Sequence, residues 1–120
     1  MGDLTKNFDR KEFACQCGCG ADEMDAQLIK DLQEYRDRKL RAVVINSGRR
    51  CPYHNHQEGG TNQSAHLTGN AVDIKATSSF ERFHIIKFFM DKGYNRFGIG
   101  NSFVHVDNSP FNPTCVIWLY

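Results

Sequence analysis

Two short stretches constrain this chain more than anything else in it. In Ala71-Val72-Asp73-Ile74 and in Phe103-Val104-His105-Val106-Asp107, β-branched residues alternate with acids or an imidazole. Successive side chains of a strand point to opposite faces, so Val72 and Ile74 share one face and Asp73 takes the other. By the same rule Val104 and Val106 go to the core side, while Phe103, His105 and Asp107 share the opposite side. Laid next to each other, the two strands make a sheet with an apolar face to be covered and an open face that carries Asp73, His105 and Asp107.

Helices are available as the cover. Met24, Leu28, Leu32 and Tyr35 recur at helical spacing, with acids at the N-terminal end where the helix dipole favours them, and predict an amphipathic helix from about Asp25 to Asp37. A second helix begins where Ser78 can cap it and Glu81 can return the bond; Phe83, Ile86, Met90 and their neighbours supply its apolar face, and Gly93 stops it. Val43-Val44-Ile45 makes Ala42 to Asn46 a candidate buried strand, ended by Ser47-Gly48. Further strands are expected at Ala71 to Ala76, Arg96 to Ile99 and Phe103 to Asp107, the last two joined by a short turn, with Cys115 to Tyr120 as an edge strand. The expected fold is α+β, an antiparallel sheet with flanking helices. At 120 residues and 40% hydrophobic content the chain suits a single domain spanning residues 1–120, whose site would be a surface cleft.

His66 lies on Ser64-Ala65-His66-Leu67-Thr68-Gly69-Asn70, and a bend at Gly69 would swing its imidazole over the face that carries Asp73. His66, Asp73 and His105 then form a three-ligand metal site with a fourth tetrahedral position open, as catalytic zinc requires. Taken singly, each histidine reads more readily as a satisfied surface or core residue than as a ligand, since His is commonly buried or half-buried without a metal. The polar stretch from Arg49 to Asn70 reads as a functional loop.

Charge and cysteine count exclude more than they identify. Fifteen Lys and Arg against 14 Asp and Glu leave +1, with no basic field for nucleic acid. No apolar run approaches the roughly 20 residues that span a bilayer, and Met1 to Lys6 lacks the hydrophobic stretch of a signal peptide, so a cytoplasmic chain without a membrane partner is expected. Five cysteines cannot all pair within one chain. Cys15, Cys17 and Cys19 form a C-x-C-x-C run tighter than the usual C-x-x-C knuckle, and Cys51 sits beside Arg50; a structural metal and a cysteine pair tying the N-terminal segment to the Cys51 loop both stay open. His54-Asn55-His56 spells HNH without that nuclease's spacing, and His84 reads as structural.

Ser64-Ala65-His66-Leu67-Thr68-Gly69-Asn70-Ala71-Val72-Asp73-Ile74 resembles the S-x-H-x-x-G-x-A-x-D-(I/L) signature of the M15 zinc peptidases, which include D-alanyl-D-alanine carboxypeptidases and peptidoglycan endopeptidases. Ser47-Gly48-Arg49-Arg50-Cys51-Pro52-Tyr53-His54-Asn55, then Gly59-Gly60, and Gly98-Ile99-Gly100 before Phe103 to Asp107 are similar to further family landmarks in the same order. Phe8 to Gly20 resembles the entry segment of phage and prophage members. The resemblance implies the zinc fold shared by hedgehog and D-Ala-D-Ala peptidases, with His66, Asp73 and His105 as ligands of Zn2+. It implies that Arg50 meets the scissile carbonyl oxygen or a terminal carboxylate, whereas Arg49, where the family has Tyr, is a solvated surface residue. Relatives often carry an acid three residues before the second ligand histidine; here that position is Ser102. Asp107 is therefore the candidate general base, its rival role being to orient a ligand imidazole. Ser64, expected to bond locally to its turn, and Asn55 are the candidate substrate-binding residues. The implied function is a monomeric zinc peptidase cutting peptidoglycan stem peptides, of phage or prophage type, released from the host cytoplasm or carried on a particle. The alternative is a non-catalytic, zinc-stabilised binding module on the same fold.

Overall fold

A computed structural model describes residues 2–39 and 42–120. Helix α1 (Ala26–Lys39) starts where the Asp25 carboxylate accepts from the backbone N–H of Leu28 at 3.1 Å, which satisfies one of the amides that a helix start leaves free. Its buried stripe is Leu28, Ile29, Leu32 and Tyr35. The first strand, β1 (Ile45–Ser47), is shorter and later than the expected Ala42 to Asn46. Val43 turns into the core and Val44 to solvent; the Val44 carbonyl already accepts from the Lys75 N–H at 2.9 Å, and residue pairing with the neighbouring strand is at Ile45 and Ser47, with an irregularity between them.

The polar stretch holds a helix that apolar periodicity could not show, α2 (Pro52–Gln57), with Cys51 as N-cap and Pro52 at its first position, where a missing N–H costs nothing. After β2 (Ala71–Lys75), helix α3 (Ser79–Asp91) begins as the capping pattern predicts: Ser78 Oγ accepts from the Glu81 N–H at 3.1 Å, and the Glu81 carboxylate reaches back to the N–H of Thr77 at 3.2 Å. Its buried face differs from the expected one. Ile85, Phe88 and Phe89 enter the core, while Phe83 is 60% and Met90 49% exposed. Apolar residues surround this helix on nearly all sides, so its own sequence does not choose a face; Tyr35 and Tyr94, whose rings lie 5.8 and 5.1 Å from that of Phe89, do.

Strands β3 (Arg96–Ile99), β4 (Phe103–Asp107) and β5 (Val116–Leu119) complete a sheet of order β1-β2-β4-β3-β5. The α+β class agrees with expectation, but the sheet is mixed: β5 runs parallel to β3, and the other pairs are antiparallel. The geometry of β4 explains this. Its last residue, Asp107, lies at the Arg96 end of β3, and the connection passes that end to start β5 with Val116 opposite Arg96. An antiparallel β5 would have to start at the far end of β3.

Val72, Ile74, Val104, Val106 and Phe97 form the covered face of the sheet and are buried against α1, α3 and two rings of the N-terminal segment, Phe8 and Phe13. At about 1.5–3 kcal/mol for each such side chain, this layer is the main source of stability and leaves the opposite face free for polar groups. Among the described residues no helix is long and apolar enough to cross a membrane.

Candidate active site

Strand register collects the polar face into one row. Ser47 pairs with Asp73, Asp73 with His105, His105 with Gly98, and Gly98 with Trp118, so a single line across all five strands carries Asp73 and His105 side by side.

His66 arrives from a short 3-10 turn (Ala65–Thr68). Ser64 Oγ accepts from the His66 N–H at 3.3 Å, the local bond expected of it, and the turn closes on Gly69 at φ 74°. Only glycine fits there: the conformation is left-handed, and a Cβ would strike the Glu23 carbonyl. The ring is then fixed by Gly48, whose carbonyl oxygen lies 2.6 Å from Nδ1. A carbonyl can only accept, so Nδ1 carries the proton and Nε2 presents a lone pair. That Nε2 is buried without a hydrogen-bond partner, 3.3 Å from Asp73 Oδ1.

His105 is held from both sides. Its Nδ1 is 3.0 Å from Asp73 Oδ1 and its Nε2 is 2.7 Å from Asp107 Oδ2. Ligand atoms of His66, Asp73 and His105 all lie within 4.8 Å of one another, and all three residues are buried. An unpartnered imidazole lone pair inside such a cluster is what a cation would satisfy, and two nitrogens with one carboxylate suit zinc and other first-row divalent metals. Burial alone would raise the Asp73 carboxyl, but the imidazoles of His105 and His66 outweigh it and hold it well below the ordinary carboxylate range. Burial would lower His105; Asp107 and Asp73 reverse that and raise it.

Asp107 is placed differently from a free base. It is 1% exposed, Oδ1 accepts from Arg96 Nε at 2.7 Å and from the Ser109 N–H at 3.1 Å, and Oδ2 faces His105. Despite burial, which acts to raise it, the His105 and Arg96 partners and the Ser109 N–H keep the group below its usual value.

Arg50 borders the triad. Its Nε donates to Ser47 Oγ at 3.2 Å, Nη1 to Asn55 Oδ1 at 3.3 Å, and Nη2 approaches Asp73 Oδ2 at 3.5 Å. Asn55, expected to meet substrate, is instead 3% exposed on α2, with its amide spent on Arg50 and on the Thr61 carbonyl at 2.8 Å. Arg49 is not simply solvated: its Nη1 donates to the Glu23 carbonyl at 3.1 Å, pinning the approach to α1. His54 pairs with Glu58 at 3.1 Å and His84 lies exposed against the rings of Phe80 and Phe83, so neither joins the triad.

Above the row opens a cleft of about 930 Å3, whose lining includes Arg50, Ser64, Asp73, His105, Trp118 and Tyr120. The two aromatic residues were not foreseen as site residues. The Trp118 ring lies 5.1 Å from the His105 ring, tilted to it by 53°, and beneath the Arg96 guanidinium, and Tyr120 lies 4.9 Å from Phe103. Their alternation in Val116-Ile117-Trp118-Leu119-Tyr120 was the available signal; the side of the sheet they face depended on the direction of β5.

A mixed sheet with a buried His-Asp-His cluster on its open face, beside an arginine at the edge of a cleft, makes a candidate metal centre open to a ligand. A family model described as Peptidase M15 matches residues 6–107, and the chain belongs to that family of metal-dependent peptidases. The match includes the triad and Arg50 and ends at Asp107. No curated protein matches the chain.

Proposed function

We propose that this metallopeptidase uses zinc to hydrolyse peptide bonds of peptidoglycan stem peptides, as a D-Ala-D-Ala carboxypeptidase or an endopeptidase. The observation that carries the zinc-site reading is the buried, unpartnered Nε2 of His66 facing Asp73 beside Nδ1 of His105. Those two nitrogens and the Asp73 carboxylate would hold the metal, which when bound supplies a Lewis acid that acidifies water and polarises a carbonyl. The choice of substrate rests on the resemblance of the Ser64 to Ile74 and Ser47 to Asn55 segments to wall-cutting members, and a phage or prophage setting on that of Phe8 to Gly20.

Each neighbouring residue then has a defined task. Arg50, held by Ser47 and Asn55, turns its guanidinium to the cleft and receives the negative charge that develops on the scissile carbonyl oxygen, or a terminal carboxylate of the substrate. Asn55 is a positioning residue for Arg50, and Ser64 lines the cleft while shaping the His66 turn. Asp107 orients His105 by accepting its Nε2–H at Oδ2, while Oδ1 is taken by Arg96 and the Ser109 N–H, so neither oxygen is free to act as a base. Trp118 and Tyr120 form an aromatic wall against which a peptide can lie. The near-neutral charge supplies no basic field for nucleic acid or an anionic membrane, and the protein is taken to act as a monomer.

One observation favours a second reading. Ser102 carries a hydroxyl where relatives have an acid, and both carboxylate oxygens of Asp107 are engaged, so neither residue offers a free carboxylate for proton transfer, which suits a zinc-stabilised binding module. Incubating the zinc-loaded protein with purified muropeptides, followed by mass spectrometry, separates the two. Release of D-alanine or a cut stem peptide is expected; intact muropeptides throughout would leave the binding module.

A further inference from the structure

Outside the cleft, the fold brings together four cysteines that the peptidase chemistry does not use. Cys15, Cys17, Cys19 and Cys51 have sulfurs within 4.8 Å of one another, although Cys51 is distant in sequence. We infer that these four thiolates form a second, structural zinc site, which ties the N-terminal segment to the loop of Arg50.

The spacing of the sulfurs carries the inference. Cys15 and Cys17 are 3.4 Å apart, Cys17 and Cys51 3.6 Å, and Cys15 and Cys51 3.7 Å. With Zn–S bonds of about 2.3 Å, the edge of a tetrahedron of sulfurs is about 3.8 Å. Disulfide bonding would draw sulfurs to about 2.05 Å in pairs, whereas here three are mutually near-equidistant. Backbone geometry supports a cage of this kind. Gly18, at φ 83°, allows the chain to reverse between ligands, and the Cys15 N–H bonds to the Ala21 carbonyl at 2.7 Å to close the loop. Backbone N–H groups point at sulfur, from Cys51 to Cys15 Sγ and from His54 to Cys51 Sγ, both at 3.4 Å, an arrangement that favours thiolates. Four protein ligands close the coordination shell, so the site is structural rather than catalytic.

Its placement gives it a task. Cys51 follows Arg50 directly and caps α2, which carries Asn55, and Gln16 between two of the ligands donates to the Asn46 carbonyl at 2.7 Å at the edge of the cleft. A metal here fixes the backbone on which Arg50 is mounted.

The test uses the full chain and needs no peptidase activity. Wild-type protein purified in the presence of zinc should hold two equivalents, and His66→Ala/His105→Ala should keep one. X-ray absorption at the zinc edge of that variant should show four sulfurs at about 2.3 Å. Cobalt(II) exchanged into wild-type protein should give the strong thiolate charge-transfer bands of a sulfur-rich tetrahedral site, and Cys17→Ser/Cys19→Ser should lose those bands and one equivalent. Should the cysteine variant fail to fold, the cobalt spectrum of the wild type and the absorption edge of the histidine variant decide alone. A metal-free histidine variant, nitrogen and oxygen in place of sulfur around its zinc, or a wild-type mass short of two hydrogens per cysteine pair would each overturn the inference.

Discussion

The chemistry of Asp107 depends on which atoms its two oxygens meet. Alternation along β4 put it on the face of His105, where it reads as either a base or an orienter; Arg96, on the neighbouring strand, and the Ser109 amide occupy one oxygen, and His105 the other. Asp107→Ala should therefore lower metal affinity about 10–100-fold, measured by competition with a chelator. Unchanged affinity with lost turnover would restore the base role. A second buried acid tests the same logic away from the cleft. Asp31 in α1 accepts from the Tyr94 hydroxyl at 2.8 Å in the core, and that contact, after burial, raises the phenol. Tyr94→Phe deprives a buried carboxylate of a donor and should cost about 1–3 kcal/mol in urea unfolding.

Among the elements, α3 and β5 show where pattern stops being informative. The start of α3 was legible because Ser78 and Glu81 act within one turn, but its facing was not, because Phe80, Phe83, Ile85, Ile86, Phe88, Phe89 and Met90 offer an apolar residue in almost every direction. Phe89→Ala should cost about 3–5 kcal/mol, whereas Phe83→Ala, removing an exposed ring, should change stability by less than about 0.5 kcal/mol. Thermal or urea unfolding of the two variants checks the assignment, and equal losses would contradict it. For β5 a short apolar run has no direction written in it. The direction follows from where β4 ends, and it places Trp118 and Tyr120 beside His105.

For the whole molecule, the covered and open faces of the sheet divide stability from chemistry. Since the core lies on the face opposite the triad, removing a proposed metal ligand by His66→Ala should abolish metal at that site while far-ultraviolet circular dichroism stays that of the folded domain. Unfolding of this variant would make the metal structural. Proton linkage gives a test of opposite signs. His105 in the metal-free protein is raised above its ordinary value, so its contribution to stability is present below about pH 6.5 and is lost as pH rises through the folded-state value. Asp73 is depressed, so its contribution is present above about pH 3.9 and lost on stronger acidification. Metal requires the neutral imidazole. From alkaline pH down to about 6.5, the melting temperature of the metal-free protein should rise while metal affinity falls. Parallel trends in the two would contradict the assignment of His105 as a ligand.

Sequence alone determined what depends on neighbours along the chain. Alternation in Ala71 to Ile74 and Phe103 to Asp107 separates core from site, the Ser78 cap starts a helix, and the Ser64 Oγ bond to the His66 N–H shapes the turn that carries His66, all through bonds and sterics within a few residues. Tertiary structure decided what depends on partners distant in sequence: the engagement of Asp107 by Arg96, the burial of Asn55 behind Arg50, the facing of α3, and the meeting of Cys51 with Cys15, Cys17 and Cys19. No local spacing encodes those contacts, because each is set by how the strands and loops pack against one another in space.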